Sequence, residues 1–186
     1  MRRWITPNLA VRRLTEIRPE KLAARGIRGV VLDLDNTLLP PTAPAPAAEV
    51  VAWVSGLRAW GLRAVVVSNA PKTRRERIAA QLGCPAIDGP PKPSLGRLRR
   101  ALQHLGTAPA QTAAIGDQLF TDVLPANLLG LYTVLVEPMD HREFLGTRIA
   151  RLVERLVGRS RITRADSEQE SSGPGRRTTR EGRRLR

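Results

Sequence analysis

A chain of 186 residues, 41% apolar but only 3% aromatic, is long enough for one domain whose core is built from Leu, Val, Ile and Ala, and too short for two ordinary domains. Its net charge of +14 is not confined to a tail: residues 1–158 carry 22 Lys and Arg against 13 acids, and residues 159–186 carry 9 Arg against 4. The excess favours an anionic partner, although 28 of the 31 basic residues are Arg and compositional bias explains the excess equally well. A single cysteine, Cys84, excludes a disulfide framework and a Cys-rich zinc site, which points to a reducing, cytoplasmic compartment. Trp4 to Leu9 is broken by polar residues and proline, so no signal peptide is read. Charges interrupt every stretch that could reach the roughly 20 apolar residues of a membrane span, which leaves only peripheral contact with a membrane.

In chain order, residues 1–28 place Trp4, Ile5, Leu9, Val11, Leu14, Ile17 and Leu22 among basic residues in no clean period. Two readings stand for this extension: an extra helix packed on the domain, or a segment lying on an anionic membrane surface. Gly29 to Leu32 is a buried strand, and residues 40–48 form a stiff proline loop leading into a helix over Glu49 to Trp60. Leu62 to Val67 reads as a strand, Lys72 to Leu82 and Ser94 to Leu105 as helices, and Thr112 to Ile115 as a strand. Leu119 to Leu129 is the next helix, Leu131 to Val136 a strand, and Arg142 to Val157 a closing helix. The alternation predicts an α/β fold, a Rossmann-like three-layer sandwich around a mostly parallel sheet, in a domain spanning 1–158. Residues 159–186 lack apolar periodicity and are expected to be a disordered basic tail.

Candidate site residues follow three separate strands: Asp33 and Asp35 the first, Ser68 the second, and Asp117 the third. In a parallel sheet these strand ends share one edge, where open α/β sheets bind ligands. Asp33 and Asp35 are two residues apart, so on extended chain both side chains leave on the same side. Carboxylates gathered there repel unless a cation bridges them, and oxygen ligands suit Mg²⁺, whereas zinc lacks a His or Cys cluster. For Asp122 a supporting role beside the metal or beside Lys92 competes with simple helix capping. His104 and His141 have no partner near these positions and read as surface residues.

Asp33-Leu34-Asp35-Asn36-Thr37 resembles the first motif of the haloacid dehalogenase superfamily of phosphatases. Val66-Val67-Ser68-Asn69 resembles the second, Lys92-Pro93 the third, and Gly116-Asp117-Gln118-Leu119-Phe120-Thr121-Asp122 the fourth, all in the family's order. The resemblance implies that Asp33 takes the phosphoryl group and that Asp35 protonates the leaving oxygen and then activates water. It further implies that Ser68, Asn69, Thr37 and Lys92 hold the phosphate, and that Asp33, the carbonyl of Asp35 and Asp117 bind Mg²⁺, with Asp122 in support.

The intervals from Asp35 to Ser68 and from Ser68 to Lys92 leave no room for the cap that such enzymes usually carry, so the site is expected to be open. Asn127-Leu128-Leu129-Gly130-Leu131-Tyr132-Thr133 and the fourth motif look like the YqeG type of subclass IIIA, which is similar to the mitochondrial phosphatidylglycerophosphatase. That likeness implies a lipid phosphate ester as substrate and peripheral contact with the inner face of a membrane. Arg74, Arg75 and Arg77 are then candidates to meet a second phosphate, or form a solvated helix face. The alternatives are a soluble phosphatase for a nucleotide or other small ester, and a basic nucleic-acid-binding protein. The intact acidic positions and scarce aromatics disfavour nucleic acid. The oligomeric state is not specified by the sequence.

Overall fold

The structure is a computed structural model and describes residues 4–139. The helix expected over Arg142 to Val157, His141 and the basic tail lie outside the described residues.

Five parallel strands form one sheet in the order β1-β5-β4-β2-β3: β1 Leu9–Val11, β2 Gly29–Leu32, β3 Arg63–Val66, β4 Thr112–Gly116 and β5 Tyr132–Val136. Because side chains alternate across a strand, β2 feeds two cores at once. Val30 and Leu32 join Leu14, Ile17, Leu22, Trp53 and Ile78 on one face, whereas Val31 joins Val65, Leu98, Ala101 and Leu131 on the other. The first face is covered by α1 (Pro19–Ala24), α2 (Ala48–Gly56) and α3 (Lys72–Gln81), and the second by α4 (Leu95–Leu105) and α5 (Leu124–Leu129). The expected three-layer α/β sandwich is therefore present, and within the described residues every strand pair is parallel.

Local signals set both ends of α4. Ser94 caps α4 by accepting from the Gly96 amide at 3.2 Å, and Gly106 closes it at φ 59°, a left-handed conformation that glycine adopts without strain. Leu98, Ala101 and Leu105 then lie on one buried stripe.

Two elements differ from the sequence reading. The segment before Gly29 supplies an edge strand as well as helix: β1 pairs with β5, Leu9 opposite Val134 and Val11 opposite Val136. Asn8 and Thr133 lock that register, the Asn8 amide donating to Thr133 Oγ1 at 3.1 Å and the Thr133 amide to Asn8 Oδ1 at 2.8 Å. Beyond β1, Leu14, Ile17 and Leu22 enter the core, and the Ile17 carbonyl accepts from Trp53 Nε1 at 2.7 Å. A three-residue strand followed by one short turn is too brief to show a period.

The second difference is in Leu119 to Leu129, which is a wide π turn over Leu119–Val123 followed by α5 rather than one helix. Pro125 has no amide to continue a helical ladder backwards and fits at the start of α5. The π turn sits where the chain leaves β4, a placement common at functional sites.

Leu14 is 1% exposed and tests whether the N-terminal segment belongs to the domain. Leu14→Ala is expected to cost about 2–5 kcal/mol, read as a lowered urea midpoint with unchanged m-value.

Candidate active site

The C-terminal ends of β2, β3 and β4 form one side of an open cleft of about 230 Å³, lined by Asp33, Asp35, Ser68, Asn69, Ala70, Lys92, Gln118 and Thr121. Neither the interval from Asp35 to Ser68 nor that from Ser68 to Lys92 holds an inserted domain; the first contains the proline loop, α2, a 3₁₀ turn and β3, the second α3 and a short link.

Asp33 leaves β2 with its amide bonded to the Ile115 carbonyl at 2.9 Å, and its carboxylate is buried. Lys92 Nζ donates to Asp33 Oδ1 and, at 2.6 Å, to Asp122 Oδ1. Asp122 Oδ2 accepts from the Gln118 amide at 3.1 Å, so both of its oxygens are engaged. The π turn makes this possible, and so does Gly116: a Cβ there would stand 2.4 Å from the Asp122 carboxyl carbon.

Asp117 is fully buried; its Oδ1 faces the Thr37 hydroxyl at 3.5 Å and its Oδ2 has no hydrogen-bond partner. One oxygen each from Asp33, Asp117 and Asp122 lie within 4.8 Å of one another. Three buried carboxylates meet one ammonium, and the cluster holds an orphaned oxygen. Those are the properties of a donor set completed by a hard dication such as Mg²⁺.

Ser68 lies two residues beyond β3, its Oγ accepting from the Ala70 amide at 3.1 Å, which leaves its own hydroxyl proton free to donate. Asn69 holds the Lys92 backbone in both directions, by its amide to the Lys92 carbonyl at 3.1 Å and from the Lys92 amide to its Oδ1 at 2.8 Å. Asn69 thus braces the lysine loop. Thr37, expected in the phosphate pocket, is fully buried and turned towards Asp117.

Asp35 lines the cleft, but its carboxylate stands apart from the other three. Asp35 meets Arg74 instead, and the chain then turns through Asn36, whose φ of 63° is left-handed. Of the other arginines of α3, Arg75 is buried against Asp88 and the Ala70 carbonyl, and Arg77 is exposed.

Some contributors had no local signal. Arg97, on α4, is buried and donates to the Ser68 and Gly89 carbonyls, clipping the β3 loop to the loop before Lys92. In sequence it is one arginine among several on a basic helix, and only the fold gives it those carbonyls. Gly116, Gln118 and Thr121 fall inside the fourth motif, where nothing in the sequence sets them apart from its other residues.

Burial pushes the Asp33 carboxyl up to about 7; Lys92 opposes the shift, and Asp122 and Asp117 add to it. Burial likewise raises Asp117 to about 7, with Asp122 reinforcing it. Desolvation works against the Lys92 ammonium, but Asp122 and Asp33 together outweigh it and hold the group above its ordinary range.

These directions carry a pH dependence. Between 3.8 and about 7 the folded metal-free chain keeps protons on Asp33 and Asp117 that the unfolded chain has released, so their contribution to stability falls as pH rises through that window. A dication favours the deprotonated forms, and Mg²⁺ should therefore raise the melting temperature more at pH 8 than at pH 5. Equal shifts at both pH values, measured by thermal unfolding with and without Mg²⁺, would contradict a site built on these carboxylates. Gly116→Ala should displace Asp122 from Lys92 and shrink the Mg²⁺-induced shift.

Comparison with known proteins gives the site a context. The sequence model of the haloacid dehalogenase-like hydrolases matches residues 42–130, a span that includes Ser68, Lys92, Asp117 and Asp122. The chain is 32% identical over 157 residues to the probable phosphatase YqeG of Bacillus subtilis (strain 168), covering 84% of this chain and 91% of that protein. It is 28% identical over 169 residues to phosphatidylglycerophosphate phosphatase 1, chloroplastic/mitochondrial, of Arabidopsis thaliana, covering 85% of this chain and 49% of that longer protein. One solved structure shares the fold with a TM-score of 0.51 at 13% identity, covering 72% of this chain and 82% of that chain.

Proposed function

The chain belongs to the haloacid dehalogenase-like hydrolases as a phosphatase, and on that premise we propose that it cleaves a phosphate monoester through an aspartyl-phosphate on Asp33, with phosphatidylglycerophosphate as substrate. The observation that carries the chemistry is the buried Asp33 carboxylate at the cleft, held by Lys92 beside two more carboxylates.

Asp33 attacks phosphorus as the bond to the ester oxygen breaks, and Asp35 gives that oxygen its proton. The alcohol leaves. Asp35, now a carboxylate, takes a proton from water, whose oxygen attacks the aspartyl-phosphate and restores the Asp33 carboxylate, so that ester and water become alcohol and phosphate. Ser68 donates its hydroxyl to a phosphoryl oxygen, and Lys92 offsets the charge that gathers as two anions approach. Asp122 holds the ammonium in place, and Asn69 and Arg97 hold the two loops together. Mg²⁺, with Asp33, Asp117 and the Asp35 carbonyl as its holders, would supply the remaining positive charge at the phosphoryl oxygens.

The lipid substrate is supported by the activity named for the Arabidopsis relative and by the open cleft, which can take a headgroup without enclosing the rest of a large molecule. Among the described residues no helix is long and apolar enough to cross a membrane, so a lipid substrate would be met at a surface.

Phosphate release from phosphatidylglycerophosphate in mixed micelles should exceed that from nucleotides and sugar phosphates in kcat/KM, and should require Mg²⁺. Asp33→Asn should lower kcat by roughly 10³-fold or more. Full activity in that variant removes the covalent mechanism, whereas preference for a soluble ester removes only the lipid assignment.

A further inference from the structure

Arg74 stands in the first turn of α3 and reaches across to Asp35. Its Nε and Nη2 donate to the same carboxylate oxygen, Oδ1, at 3.2 and 3.0 Å. It also donates to the proline loop, Nη1 to the Ala43 carbonyl at 2.9 Å and Nη2 to the Pro40 carbonyl at 3.2 Å. Among the described residues Asp35 Oδ2 accepts no hydrogen bond, and Asp35 lines the cleft.

The two oxygens of Asp35 are thereby made unequal. A guanidinium fork needs an acceptor, and Oδ1 is committed to it; a carboxylic acid that keeps its carbonyl oxygen in such a fork carries its proton on the other oxygen. The fork is itself braced by a stiff loop, so the carboxyl cannot rotate to exchange the two oxygens without breaking two charge-assisted bonds.

We propose that Arg74 is the positioning residue of the leaving-group step: it anchors Asp35 Oδ1 so that Oδ2 faces the cleft and passes its proton to the departing ester oxygen. As the phosphorus–oxygen bond breaks, the bond electrons stay on that oxygen, which takes the proton from Oδ2. Asp35 is left as a carboxylate with Oδ1 still in the guanidinium fork. The inference rests on the mechanism proposed above, and it gives Arg74 a different task from binding a second phosphate. Lysine cannot replace it, because one ammonium cannot hold Oδ1 and two loop carbonyls in a plane.

A proton donor matters only when the leaving oxygen is basic. Arg74→Ala is therefore expected to lower kcat/KM, which is set before the aspartyl-phosphate hydrolysis that both esters share, by about 10–100-fold on the best alkyl phosphate of the panel, and to lower it at least about tenfold less on p-nitrophenyl phosphate, whose phenolate leaves without help. Arg74→Lys should behave like Arg74→Ala. In an Asp35→Asn background, removing Arg74 should cause no further loss on the alkyl ester, because the two act as one unit. Equal losses of kcat/KM on both esters, or full additivity with Asp35→Asn, would overturn the proposal. If Arg74→Ala does not fold, Arg74→Lys and Arg74→Gln carry the same comparison, since the ratio of the two esters is read within one protein. An active Asp33→Asn enzyme would sink the underlying mechanism; an inactive one together with equal losses for the Arg74 variants would sink only the role of Arg74.

Discussion

Three carboxylates and one ammonium, all buried at the ends of β2 and β4, set the terms for the rest of this molecule. Lys92 is shared between Asp33 and Asp122, and Asp117 is left with an unpartnered oxygen. Unbalanced negative charge away from water is costly, and the cluster can relieve it in two ways: by keeping protons on Asp33 and Asp117 near neutral pH, or by taking up a cation. The same cluster is thus a liability for stability without metal, and a dication held there would offset the negative charge that otherwise repels an anionic substrate.

The scaffold around the cluster is specialised to hold it. A glycine at 116 gives the Asp122 carboxyl room against the backbone, and the π turn brings the Gln118 amide onto its second oxygen. The loop that carries Lys92 has no regular structure of its own. It is held by Asn69 from the loop after β3 and by Arg97 from α4, which bonds to both the Ser68 and Gly89 carbonyls. Lys92 is therefore positioned by partners from two other segments of the chain.

Basic residues in this chain do different work according to burial. Arg75 and Arg97 are buried and saturate carbonyls or Asp88, so part of the positive charge is structural. Arg74 is spent on Asp35 and the proline loop. The net charge of +14 overstates the positive charge available to a partner, because the cations nearest the cleft already have oxygens to serve.

The parallel α/β class, the strand ends that carry Asp33, Ser68 and Asp117, and the absence of room for a cap were legible in the linear sequence. Each is written in local chemistry: an aliphatic run, the residue that ends it, the length of an interval. The Asp33–Asp35 spacing predicted a common direction for the two side chains, and both line the cleft, but Asp33 pairs with Lys92 whereas Asp35 pairs with Arg74. What tertiary structure alone decided are pairings between distant residues. These are β1 with β5 across more than a hundred positions, Arg97 with the Ser68 carbonyl, Thr37 with Asp117, and Arg74 with Asp35. No period or motif encodes such contacts, because a hydrogen bond between remote side chains depends on where the sheet and its helices bring them, and on nothing that either residue shows by itself.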